Sequence, residues 1–133
     1  MTEKIPSGWQ RLRLSDLMSE RSEKFTAGDE FEILSVTKEG IVSQSSFFNK
    51  QIATEGNIGY KIVRKGDLAI SPMNLWMGSV GVLEEPLAGI VSPAYKVFSF
   101  ESESVSRFMS YMVKSSQMMR LYNLHSRLSL IHI

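Results

Sequence analysis

The 133-residue chain contains no cysteine and only two histidines, His125 and His132, both close to its end. Without cysteine there is no disulfide framework and no thiolate to hold a metal. With histidine confined to one end, a Ser–His–Asp relay or a His-rich metal site has little material to draw on. No apolar run approaches the roughly 18 residues of a membrane-spanning helix. The opening Met1-Thr2-Glu3-Lys4-Ile5-Pro6 lacks the apolar core of a signal peptide, so cytoplasm is the expected compartment. Gly78-Ser79-Val80-Gly81 has neither the lysine of a phosphate loop nor the third glycine of a dinucleotide turn. Charge of one sign is missing too: 15 Lys and Arg stand against 14 Asp and Glu.

What is present is ordinary for one packed domain, with 43% apolar and 22% charged residues. The charge is unevenly distributed. Residues 38–82 carry five basic side chains, Lys38, Lys50, Lys61, Arg64 and Lys65, against three acids. From residue 104 onward there are four basic residues, Arg107, Lys114, Arg120 and Arg127, and no acid. Residues 3–37 and 83–103 are net acidic. If the two positive segments share a face, they form the footprint that a phosphate backbone needs; if not, they are a scattered, solvated surface.

The hydrophobic pattern predicts short strands at Trp9–Leu14, Phe31–Val36, Ile41–Val42, Tyr60–Val63, Leu68–Ile70, Ser79–Leu83 and Gly89–Phe98, the last with a bend or an edge position at Pro93. Ser15-Asp16-Leu17 reads as a helix start, and residues 19–29 as a polar loop. Residues 43–59 form a long polar connection containing Phe47 and Phe48. From Ser104 the period changes: Val105, Phe108, Met112 and Met119, with Tyr111 and Tyr122, recur mostly at three or four residues, which predicts one amphipathic helix over Ser104–Leu121. The expected class is α+β, a small domain of short strands in a twisted, partly barrel-like sheet closed by a C-terminal helix. Residues 1–123 are expected to form the domain and 124–133 a tail.

A catalytic reading finds few groups. His125 offers a hydrolase only if something orders it, and the acidic clusters Glu20/Glu23, Asp29/Glu30/Glu32 and Glu84/Glu85 read as solvated turns. The loops are more informative. Gln44, Asn49 and Asn74 carry amides that both donate to and accept from a base edge, and Lys38, Lys50, Arg64 and Lys65 carry charges suited to phosphate. Trp76 stands beside Asn74 in a loop where an indole is costly to expose. The competing reading makes Phe47/Phe48 and Trp76/Met77 patches that dock a protein partner, or a cover for the core.

The order of several segments resembles a known family. Ile5-Pro6-Ser7-Gly8-Trp9 with Arg13-Leu14-Ser15-Asp16-Leu17 is followed by Tyr60-Lys61-Ile62-Val63 and Lys65-Gly66-Asp67-Leu68. Then come Asn74-Leu75-Trp76-Met77-Gly78-Ser79-Val80-Gly81 and Gly89-Ile90-Val91-Ser92-Pro93-Ala94-Tyr95. Together they look like one target-recognition domain of a type I restriction-modification specificity subunit, from Ile5 to about Asn123. The resemblance implies a non-catalytic, sequence-specific binder of double-stranded DNA that needs no cofactor and reads half of a bipartite target. It also implies methyltransferase and restriction subunits as partners, and a second recognition domain or a second copy. Family members usually carry two such domains joined by coiled-coil helices. Ser129–Ile133 shows no heptad, so the chain is expected to be a fragment or half-subunit of such a protein.

Overall fold

A computed structural model of the chain describes residues 6–28, 30–43 and 52–131. The described residues form eight short strands and two helices. The strands are β1 (Met18–Glu20), β2 (Glu32–Thr37), β3 (Gly40–Ser43), β4 (Lys61–Arg64), β5 (Leu68–Ile70), β6 (Val80–Val82), β7 (Ala88–Val91) and β8 (Lys96–Phe100). The helices are α1 (Glu103–Met112) and α2 (Ser116–Ile131). The strands make two four-stranded sheets, ordered β3-β2-β7-β4 and β1-β8-β5-β6. Every pairing is antiparallel except that of β2 with β7. The α+β class expected from the sequence is the class observed.

Period-two alternation explains how strands this short are held. In β4 and β7, Ile62 and Ile90 join an outer core around Phe25, while their neighbours Val63 and Val91 face a central core. In β5 and β8, Ala69 and Val97 face that same central core from the other sheet. Leu68 and Phe98 turn the opposite way, onto Met109 and Val113. The β8-β5 centre of this sheet is therefore packed on both faces, by the other sheet and by the helical segment. Each Val or Leu so buried contributes about 1.5–3 kcal/mol, which is how strands of three to five residues remain in place.

Gly89 shows how tight the other sheet is. A Cβ there would sit 2.9 Å from the Glu32 carbonyl oxygen and collide with the Leu34 side chain, so the parallel β2–β7 contact requires glycine.

Four expectations are corrected. The predicted strand Trp9–Leu14 is irregular chain ending in a 3-10 turn at Leu14–Asp16, where the Asp16 carboxylate accepts from the Arg13 amide at 2.8 Å. The predicted loop at 19–29 contains most of β1, which finds its partner in β8, eighty residues away. The extended segment Gly89–Phe98 is two strands in two different sheets, bent at Ser92–Tyr95. The single helix is two, and α2 runs on to Ile131 through the segment expected to be a tail. Ser115 marks that break, its Oγ accepting from the Met118 amide at the start of α2, just as Ser102 Oγ accepts from the Val105 amide at the start of α1. The apolar spacing continues across Val113–Ser115, which is why periodicity alone reads one helix. No helix among the described residues is long and apolar enough to cross a membrane.

Candidate nucleic-acid interface

Three turns carry described candidate residues, and one lysine ties two of them together. Lys38 lies in the β2–β3 hairpin turn, where the Thr37 hydroxyl accepts from the Glu39 amide at 3.1 Å and donates to the Gly40 carbonyl at 3.0 Å. Asn74 and Trp76 lie in the 3-10 segment Pro72–Met77, which follows β5 and kinks at Asn74 (φ −116°, ψ 15°). That segment ends at Gly78, whose φ of +85° favours glycine. Lys114, just past α1, donates from Nζ to the carbonyls of Gly78 (2.8 Å), Lys38 (2.9 Å) and Val80 (3.0 Å). All three ammonium donors are thereby used, and the hairpin turn and the 72–77 segment are fixed at one end of α1. Burial lowers the pKa of Lys114 from its ordinary value.

At that end the side chains of Lys38, Asn74 and Trp76 are exposed. Leu75 turns inward to pack on the core with Met109 and Val113, so it, and not Trp76 or Met77, serves as the cover. Trp76 is 49% exposed and Met77 42%. Both line a shallow recess of about 450 Å³ whose other wall is Met119, Arg120, Asn123 and Leu124 of α2. The sequence offered Arg120 only as part of an acid-free segment. Asn123 had no signal, since the amide matters only once the helix brings it opposite the 72–77 turn.

The other basic candidates behave differently. Arg64 is held by Glu23, with Nε donating to Oε1 at 2.9 Å and Nη2 to Oε2 at 2.6 Å. Those hydrogen bonds, more than the Arg64 and Arg21 charges, keep the Glu23 carboxyl below its usual pKa, against a smaller opposing effect of burial. Beside it Arg21 clasps the buried Asp67, with Nε–Oδ2 at 2.5 Å and Nη2–Oδ1 at 3.0 Å. Asp67 also accepts from the Arg64 amide at 2.9 Å and so shapes the turn that exposes Lys65. Arg64 therefore serves an ion-pair network first, and a phosphate would have to compete with a bidentate carboxylate.

No protein-family model matches the chain, and no curated protein matches it. The site must be judged on its own geometry. A broad cleft of about 1160 Å³ runs along α1 from the Lys65 turn to Lys114. It is lined by four basic side chains and five acidic ones, Glu39, Asp67, Glu84, Glu85 and Glu103. A polyanion is not favoured there. The Lys38–Asn74–Trp76 end, extended by Arg120, carries more cations than acids, with Glu39 the acid in its turn. Gln44, Asn49 and Lys50, with Phe47 and Phe48, lie outside the described residues.

Nothing else among the described residues assembles a reactive group. No cluster of three or more His, Asp or Glu is placed to hold a metal. His125 is exposed on α2, without a hydrogen-bond partner among the described residues.

Proposed function

We propose that this chain is a sequence-reading DNA-binding module, one target-recognition domain of a type I restriction-modification specificity subunit, contacting duplex DNA through the Lys38 and Asn74–Trp76 turns. The observation that carries the reading is the Lys114 clasp. It holds a cationic turn and an amide-bearing turn in fixed relation while leaving both side chains in solvent. Cations set register on the phosphates and an amide discriminates base edges, so a reader needs both at constant spacing. The ordered segments from Ile5 to Tyr95 point the same way.

In this reading the chain carries no chemical step. Methylation and cleavage belong to methyltransferase and restriction subunits that it directs to DNA, beside a second recognition domain or a second copy. A half-site reader alone binds weakly. Titrating the chain into a random duplex library at low salt tests the proposal. Binding that weakens linearly in log salt and enriches a short sequence supports it; no salt-dependent binding to any duplex refutes it.

One observation favours a second reading, in which the chain docks a protein without touching DNA. Phe108 and Tyr111 lie one turn apart on the outer side of α1 and are 62% and 76% exposed. Co-purification with a methyltransferase subunit that is lost in Phe108→Ser/Tyr111→Ser, with no affinity for DNA, would establish it.

A further inference from the structure

The recess between the 72–77 turn and α2 is used neither by phosphate steering nor by amide contacts in a groove. We propose that it takes one nucleobase displaced from the duplex stack, with its face on the Trp76 indole, its edge on the Asn123 amide and its phosphate on Arg120. This inference rests on the DNA-reading function.

Its walls have the chemistry of base capture. An indole half open to solvent is a stacking platform that accepts any base. Met77 and Met119 are polarisable and conform to a flat ring. The Met119 thioether packs directly on Gly78, where a Cβ would lie 2.6 Å from its Sδ. Asn123 is half-buried, and its amide has no partner among the described residues, so a donor and an acceptor remain side by side. Adenine presents the matching pair. Arg21, Arg64 and Arg107 all have carboxylate partners, whereas Arg120 has none among the described residues. Its charge is available to an anion. A purely apolar side chain from a protein partner would leave both the amide and the guanidinium unanswered, so a base with its phosphate fits better.

The test uses the full chain carrying Trp9→Phe, which leaves Trp76 as the single tryptophan and removes a 73% exposed residue. Adenosine 5′-monophosphate should quench Trp76 fluorescence saturably, in the millimolar range expected of one stacked base and one ion pair. Ribose 5-phosphate should not. Arg120→Met should weaken the nucleotide about tenfold, and Asn123→Leu should flatten the preference among the four nucleotides. A duplex with one unpaired adenine, whose base is easiest to displace, should bind more tightly than its fully paired counterpart. Trp76→Ala should erase that difference, with circular dichroism confirming that each variant is folded.

Equal, non-saturating quenching by both phosphates, with paired and unpaired duplexes bound alike, overturns the recess and leaves the DNA-reading function standing. Saturable quenching by the nucleotide with no affinity for any duplex overturns both. Quenching by an apolar peptide but not by the nucleotide would assign the recess to a protein partner instead.

Discussion

The two ends of α1 handle positive charge in opposite ways. At the N-terminal end, where Ser106 Oγ donates to the Gly66 carbonyl at 2.7 Å, two arginines are each matched to a carboxylate. At the other end, about 12 Å along the helix by its rise per residue, Lys114 is surrounded by carbonyl oxygens. A carboxylate cancels a cation's field at a distance; a carbonyl dipole solvates the cation but leaves its net charge in place. The first end is thus a structural clamp with little field left over. The second keeps its charge for a partner. Basic residues with similar exposure are not equally available to DNA, and what faces the guanidinium or ammonium decides the matter.

Five substitutions would break or sharpen that contrast. The largest effect is expected from Arg21→Met, which among the described residues leaves the buried Asp67 carboxylate the Arg64 amide but no guanidinium clasp. Urea unfolding should show a loss of about 3 kcal/mol, and a loss under about 0.5 kcal/mol would mean that the clamp stabilises nothing. Lys114→Met strips one donor from each of three carbonyls and should cost about 2 kcal/mol. Its distinctive result would be a flattened sequence preference on a duplex library, since the two turns lose their common anchor.

Tyr122 tests the α1–α2 joint. Its hydroxyl donates to the Val113 carbonyl at 2.9 Å, and burial pushes its pKa up to about 12 from 10.0. Because the folded state holds this proton more tightly than the unfolded chain, the stability it contributes is complete below pH 10.0 and is lost as pH rises toward 12. Tyr122→Phe should cost about 1 kcal/mol at neutral pH and remove that alkaline decline from a series of melts. An unchanged decline would place its origin elsewhere.

The smallest effect bears most directly on the comparison. Lys38→Ala should reduce the slope of log affinity against log salt by about one unit, whereas Arg64→Ala should leave it unchanged. Equal losses would show that Glu23 releases Arg64 to phosphate after all.

The α+β class and most strand positions were legible because alternation and turn residues are local signals: Leu68–Ile70 needs only its own side chains and the Lys65-Gly66-Asp67 turn before it. What was hidden depends on distant partners. Met18–Glu20 is too short and polar to read as a strand, and it becomes one only against β8. Arg64 is a free cation in the sequence and a bound one beside Glu23, forty-one positions earlier. Asn74 and Trp76 could be singled out by residue type, yet their link to Lys38 runs through Lys114, a residue with no motif around it. Asn123 was missed for the same reason.

The bend at Ser92–Tyr95, where the Lys61 ammonium donates to the Tyr95 carbonyl at 2.5 Å, also governs the order in which the molecule can come together. It links β7, an inner strand of one sheet, directly to β8, an inner strand of the other. As the chain emerges from a ribosome, β2 and β4 have no strand between them until β7 appears, and β1 and β5 none until β8 does. Both sheets therefore remain open until residues 88–100 are made, and then close almost together. Contacts so far apart in sequence predict slow folding by a single cooperative step. Until that late segment arrives, the strands already synthesised keep unpaired edges exposed to association with other chains.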